Sequence, residues 1–337
     1  MRSQAALAHA LIGVKVINLL IAKHEYLRSS VATCARPIGF MLDPANQCHL
    51  GCPSCVNSYN TKVVESNYNK WPRGLMSRET FGTFLREVGL YAFSGAFYNN
   101  HEPLLNRHTP EFLGLTSDLH VRTFISSNLS FRRIDAEEIV ASGLTELMVA
   151  ADGVSQDVYE RYRRGGKIEW VLENARAIAE AKRRLKSRTP IMRWQYLTFE
   201  HNVHEIERAL QLAREIGFDS FNLATPNEVS FDDPSIECVN YSGQKSFELR
   251  PREFLAFSRD LEPHRAMIEK ALEESAADRR LRETGGHDGV TRRVSGAIGC
   301  IWPSFRMPWG ALCRAATRTT KTTGDLCWPI SRLPMAT

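Results

Sequence analysis

Three cysteines fall within eight residues, in the run Asp43-Pro-Ala-Asn-Gln-Cys48-His-Leu-Gly-Cys52-Pro-Ser-Cys55. Thiolates at C-x3-C-x2-C spacing on a short loop can wrap one four-iron cube and ligate three of its irons. The fourth iron is then left open to a substrate or cofactor, whereas a fully ligated cluster mostly carries electrons. Gly51 is expected to supply backbone freedom and Pro53 to stiffen the approach to Cys55. The alternative is zinc, which wants a fourth ligand. His49 is the nearest candidate, but as the neighbour of Cys48 it is expected to point away. Eight cysteines in 337 residues are too few and too uneven for a disulfide scaffold, which implies a reducing, cytoplasmic setting. Cys34 and Cys238 stand alone and read as small buried hydrophobes.

The elements that must carry this loop follow from hydrophobic patterning. Strand candidates are Ile38–Leu42, Ala92–Tyr98, Val121–Ser126, Glu146–Ala151, Met192–Phe199 and Ser220–Ala224, short runs rich in β-branched or aromatic residues. Between them lie helix candidates. Ser77 is an N-cap for a helix with Phe81, Phe84, Leu85 and Val88 on one face. Glu169–Leu185 and Val203–Ile216 share that period, the latter closed by Gly217. Six β–α units in succession predict an α/β fold, a partial (β/α)6 TIM-like barrel of parallel strands with an irregular C-terminal appendage. Functional residues in such folds gather at the C-terminal ends of the strands.

The expected layout is an N-terminal helix over 1–35, a core over 36–226, a polar helical connector over 227–299 and a tail over 300–337. Ala5–Ala22 is apolar but interrupted by His9, Lys15 and Asn18, so it reads as an amphipathic helix packed on the domain and not as a membrane span. The formal charge is +5. Arg314, Arg318, Lys321 and Arg332 against Asp325 place +3 of it in 307–337. The remainder carries no electrostatic footprint for nucleic acid.

The cysteine loop resembles that of the radical S-adenosylmethionine (SAM) superfamily, and the likeness continues beyond it. Tyr98-Asn-Asn-His-Glu-Pro103 stands where that family carries a Gly-Gly-Glu-Pro element, with Asn100-His101 in place of the tandem glycine. Ile125-Ser-Ser-Asn128 is similar to its serine/asparagine strand end. Ala151-Asp152-Gly153 followed by Tyr159-Glu-Arg-Tyr-Arg163 is similar to the stretch found in the subgroup with a C-terminal SPASM or twitch domain. The resemblance covers about 36–226 and thins out towards Trp302.

The resemblance implies a 4Fe–4S cluster on Cys48, Cys52 and Cys55, chelation of the open iron by the methionine part of SAM, and a deoxyadenosyl radical that takes hydrogen from a substrate. Asn100, His101 and Glu102 would face the methionine ammonium. Arg163 would fork onto its carboxylate. Ser126 and Asn128 would meet ribose or carboxylate, and Gln195 would hold ribose from the barrel lumen. The implied partners are an external one-electron donor of flavodoxin or ferredoxin type and a peptide or sugar-like substrate, with no nucleic acid and no membrane. No catalytic residue is assigned. Asp152 either contacts substrate or caps the next helix, and His101 is left open. His201 and His204 read as ordinary residues of a loop entering a helix.

Cys300-Ile-Trp-Pro303 resembles the opening of a SPASM-type domain, yet from Met307 the chain becomes a Thr/Arg/Ala run with isolated Cys313 and Cys327. Permitted codons for Met307–Ile330 can be chosen so that another frame spells a strand, a Pro-Cys-Cys pair and an acidic aromatic segment. The tail is therefore expected to be a frameshift product that truncates the auxiliary domain. The rival readings are a working auxiliary site from Cys300, Cys313 and Cys327, or an inactive iron–sulfur protein with a damaged C-terminus.

Overall fold

The computed structural model describes residues 2–53, 55, 73–224, 226, 236–237 and 245–249. The connector, the tail and Cys238, Cys300, Cys313 and Cys327 lie outside the described residues. The chain divides into two units, one of Met1–Ile12 with Pro37–Leu261, the other of Gly13–Arg36 with Glu262–Thr337.

The first unit is a sheet in strict sequence order: β1 (Gly39–Met41), β2 (Ser94–Ala96), β3 (Arg122–Ser127), β4 (Glu146–Ala150), β5 (Ile191–Leu197), β6 (Ser220–Ala224) and β7 (Lys245–Glu248). β1 to β6 run parallel and β7 pairs antiparallel with β6. Right-handed crossovers between consecutive parallel neighbours must all return on one side of the sheet. The helices therefore cover one face, and the sheet curls into the partial (β/α)6 barrel expected from the sequence. β7 falls in a stretch read as connector, since its four residues carry no alternation signal.

The helix-facing residues form the apolar core, where Ile125, Leu147, Val149, Met192, Trp194, Tyr196 and Phe221 meet Val171, Ile178, Leu212 and Ile216. Residues 168, 171, 175, 178 and 179 place α6 (Ile168–Arg184) on this face by its 3.6-residue period, and α7 (Ile206–Ile216) ends at Gly217 with φ of 100°, a torsion that favours glycine. α2 (Arg78–Val88) is capped as read: the Ser77 side chain accepts from the Thr80 N–H. Three helices went unread: α3 (Thr109–Ser117), α4 (Ala136–Ala141) and α5 (Gln156–Tyr162). α4 and α5 are too short for a clear period.

α1 (Arg2–Leu27) is a single 26-residue helix. Ile12, Val16 and Leu19 are buried while Val14, Ile17, Leu20 and Ile21 are exposed, so it is less one-sided than an amphipathic reading expects. The chain after it folds back on the helix: Asn18 pairs twice with the Arg36 backbone, and the Glu25 carboxylate accepts from the N–H groups of Cys34 and Ala35. Cys34 is exposed, which corrects its reading as a buried residue. The Glu25 carboxylate holds the backbone of this turn, Cys34 included, at the surface of the helix. No helix among the described residues is long and apolar enough to cross a membrane.

Candidate active site

The cysteine loop leaves the C-terminal end of β1 and is pinned at three points. The Gly51 N–H donates to the Arg164 carbonyl at 3.0 Å, the Glu102 N–H donates to the Gln47 carbonyl at 3.1 Å, and the Cys55 N–H turns back onto Cys52 at 3.2 Å. Gly51 does not occupy the left-handed region, contrary to the expectation that its torsional freedom is needed. A Cβ there would lie 3.9 Å from the Arg164 side chain, an ordinary contact, so space does not require glycine either.

Cys48, Cys52 and Cys55 are all free thiols, and each lies within electrostatic reach of the other two. Burial pushes the Cys48 thiol up to about 11 and Cys52 up to about 12, with nearby Arg163 acting in the opposite direction on both. His49 is turned elsewhere: its Nε2–H donates to the Ser130 carbonyl at 3.1 Å and its ring packs on Phe131. That removes the one ligand the zinc reading had in hand. Among the described residues no three Cys, His, Asp or Glu side chains converge tightly enough for a single metal ion. A cube, whose irons occupy separate corners, asks for ligands more widely spread than one ion does.

Glu102 begins a short 3-10 turn (Pro103–Leu105) and is buried. Its carboxylate accepts from Ser127 Oγ at 2.8 Å, from the Asn128 N–H at 2.8 Å and from the Leu104 N–H at 3.1 Å. It thereby ties the end of β2 to the end of β3. Burial raises its pKa to about 7, with those three donors opposing the rise. Asn128 uses its side-chain N–H on Cys48 Sγ, at 3.8 Å, and its carbonyl oxygen on the Ser130 N–H. His101 donates from Nδ1 to Asp43 Oδ2 at 2.7 Å, while Asp43 Oδ1 accepts from the Asn99 N–H at 2.7 Å. Asn100 is half-buried beside them.

On the far side of the cysteines, Arg163 closes α5. Its Nε donates to Asp152 Oδ2 at 2.5 Å, and Asp152 Oδ1 accepts from the Leu197 N–H at 2.7 Å. Burial alone would lower the Arg163 pKa, but Asp152 and Cys52 hold it well above its ordinary value. Gly153 has a steric reason to be glycine, because a Cβ there would lie 2.8 Å from the Tyr159 backbone nitrogen. Of the two roles expected for Asp152, substrate contact or helix cap, the carboxylate takes neither: it is engaged by Arg163 and by strand β5.

Residues 42–195 match the model of the radical SAM superfamily. The match covers just under half of the chain, and it spans every site residue named above from Asp43 to Arg163, together with Gln195. Among solved structures the chain resembles Streptococcus suis SuiB bound to S-adenosylmethionine, at 15% identity over 62% of this chain and 44% of SuiB, with a TM-score of 0.48. It also resembles native anSMEcpe with bound AdoMet, at 16% identity over 59% and 56% of the two chains and a TM-score of 0.44. The chain thus spans less than two thirds of the length of either.

Within the matched segment, Ser126 and Gln195 lie on the sheet face turned away from the helices. β4 runs between them, with Ser126 level with Met148 and Gln195 level with Ala150. Ser126 is next to Ser127, whose Oγ donates to Glu102, and Gln195 lies two residues before Leu197 at the end of β5.

Sequence reasoning missed the brace beneath Arg163. Buried Asn202 donates to the carbonyls of Asp152 and Leu197, both at 2.9 Å, and accepts from the Phe199 N–H. Glu205 accepts from the Val154 and Ser155 N–H groups and from Ser155 Oγ, so it fastens the start of α5. The only available signal was polar residues at 3-residue spacing in a loop, which is also what an ordinary helix entry looks like. His201 stacks on Phe199, and both its ring nitrogens are buried without a hydrogen bond among the described residues.

Proposed function

We propose that this chain holds a 4Fe–4S cluster on Cys48, Cys52 and Cys55, binds SAM at the open iron, and abstracts hydrogen from a peptide or sugar-like substrate. The observation that carries this reading is the placement of three free thiols on one pinned loop at the strand ends, with Arg163 and Asn128 turned toward them, inside the matched segment. When bound, the cluster would supply the electron for reductive cleavage of SAM, the chemistry that makes hydrogen abstraction from a substrate accessible.

The protein's part is positioning. Three thiolates bring three negative charges into a poorly hydrated loop, and the Arg163 cation offsets part of that charge. Asp152 grips Arg163 through Nε, which fixes the plane of the guanidinium and so the direction of its two terminal nitrogens, the geometry a carboxylate fork requires. Glu102, its carboxylate engaged by three donors, acts by shaping the turn whose backbone carbonyls would receive the methionine ammonium. The same reading gives Asn100 and His101 places beside that ammonium, and Ser126 and Gln195 contacts to ribose. An external one-electron donor of flavodoxin or ferredoxin type would reduce the cluster. The core occupies 36–226, with an N-terminal helix before it, and with a connector and a truncated SPASM-like tail after it.

Anaerobic reconstitution followed by reduction in the presence of SAM should yield 5′-deoxyadenosine. A protein that binds four irons but releases no nucleoside would overturn the catalytic reading and leave an inactive cluster protein.

A further inference from the structure

Asn174 lies on the core face of α6 among buried Val171, Ala175 and Ile178, where an amide is costly unless its hydrogens are bonded. Both hydrogens go to one target outside the helix. Nδ2 donates to the Leu129 carbonyl at 3.0 Å and to the Phe131 carbonyl at 2.7 Å, 45 and 43 residues earlier in the chain. Asn174 is itself buried, so water does not compete freely for these bonds.

The turn that it holds follows β3, over residues 128–131. Leu129 has φ of 49°, in the left-handed region that a residue with a Cβ rarely enters and keeps only where its surroundings impose it. Glycine would take that torsion freely, but the Leu129 side chain is fully buried in the core. The core asks for leucine where the turn asks for glycine, so the backbone has to be held from outside. Ser127 Oγ accepts from the Leu129 N–H at 3.0 Å while it donates to Glu102. The Leu129 carbonyl accepts from the Phe131 N–H at 2.8 Å and from Asn174.

The same turn grips the cysteine loop. Asn128 aims its side-chain N–H at Cys48 Sγ, and its side-chain oxygen accepts from the Ser130 N–H at 2.8 Å. The Ser130 carbonyl accepts from the His49 ring, and Phe131 packs on that ring with centroids 4.7 Å apart. Cys48 and His49 are thus held by residues 128, 130 and 131, and the path between those three runs through Leu129.

We propose that Asn174 is a positioning residue for the cysteine site: by holding the Leu129 and Phe131 carbonyls it keeps the turn in the shape that directs Asn128 onto Cys48 and Ser130 onto His49. This rests on the function proposed above only for the group that Cys48 ligates, and the hold on the loop can be tested without it.

The test uses Asn174→Leu, which is close in size and lacks both donors, together with Asn128→Ala. In the cluster-free full chain, amide hydrogen exchange is followed by mass spectrometry. Loss of the two bonds should speed exchange at 127–131 and at 48–51 about threefold or more. A residue that only packs α6 predicts faster exchange within α6 and none of this at 48–51. In the reconstituted protein, the cluster's reduction potential should fall in Asn174→Leu in the same direction as in Asn128→Ala, because both lose the donor aimed at Cys48 Sγ. The double variant should titrate no lower than Asn128→Ala, since the two residues act through one contact.

Unchanged exchange at 48–51 in folded Asn174→Leu would overturn the proposal, and so would a potential that stays at the wild-type value while that of Asn128→Ala falls. If Asn174→Leu does not fold by circular dichroism, Asn174→Ala takes its place with the same expectations. A wild type that takes up no iron defeats the proposed function, and exchange then decides the role of Asn174 alone. A wild type that holds iron and releases 5′-deoxyadenosine, with exchange at 48–51 indifferent to Asn174, defeats this role alone.

Discussion

Arg163 and Asp152 form a buried ion pair, Nε to Oδ2 at 2.5 Å, beside the Cys52 thiol. Asp152 is fully buried, so the pair holds a cation at the cysteine loop in a place where water cannot.

Removing one partner leaves the other charged and unpaired in the interior. Asp152→Asn should cost about 3–5 kcal/mol in urea unfolding of the cluster-free protein. The double variant Asp152→Asn with Arg163→Gln should cost less than Asp152→Asn alone. Losses that simply add would show that the pair is not coupled.

Each of Cys48→Ala, Cys52→Ala and Cys55→Ala should take iron from about four per chain to near zero after anaerobic reconstitution, with loss of the visible absorption. Full iron retention in any one of them would remove that residue from the ligand set.

Because burial raises the Cys48 and Cys52 thiols to about 11 and 12, both are protonated near neutrality before iron arrives. Loading must release those protons, so iron uptake at limiting iron should rise as the pH goes from about 7 to 9. Uptake that is flat across that range would mean the thiols are already ionised.

Glu102 titrates near 7 against an ordinary value of 4.5, its burial outweighing its hydrogen bonds. The folded chain then binds more protons than the unfolded chain between those values. The stability it contributes is complete below about 4.5 and is lost as pH rises through about 7. Relative to Glu102→Gln, the cluster-free wild type should therefore lose stability between pH 5 and 8 in urea unfolding. A relative gain over that interval would reverse the sign argued here.

Asn128→Ala removes the N–H directed at Cys48 Sγ while keeping the backbone N–H on Glu102. Hydrogen bonds to cluster sulfurs raise the reduction potential, so the variant should titrate lower by an amount on the order of tens of millivolts. An unchanged potential would leave that contact without electronic effect.

The parallel core was legible because its strands are short apolar runs set between periodic helices, and five of the six observed parallel strands start within one residue of the runs read from the sequence. The cysteine loop was legible from spacing alone. What escaped depends on contacts across long stretches of chain. Nothing local announces that Asn202 bonds to Asp152 fifty residues earlier, or that Glu205 fastens the start of α5. Arg122, Glu146 and Arg193 each sit in a strand that reads as buried, and only the register of three strands brings them together.

A closed eight-stranded barrel has its bore set by strand number and stagger. This sheet runs from β1 to β7, with those two strands at its margins, so among the described residues its curvature is not locked by ring closure. A slight change of twist at either margin would open or narrow the hollow. The width of the hollow is thus decided at the rims, and one of those rims, β1, also carries the cysteine loop.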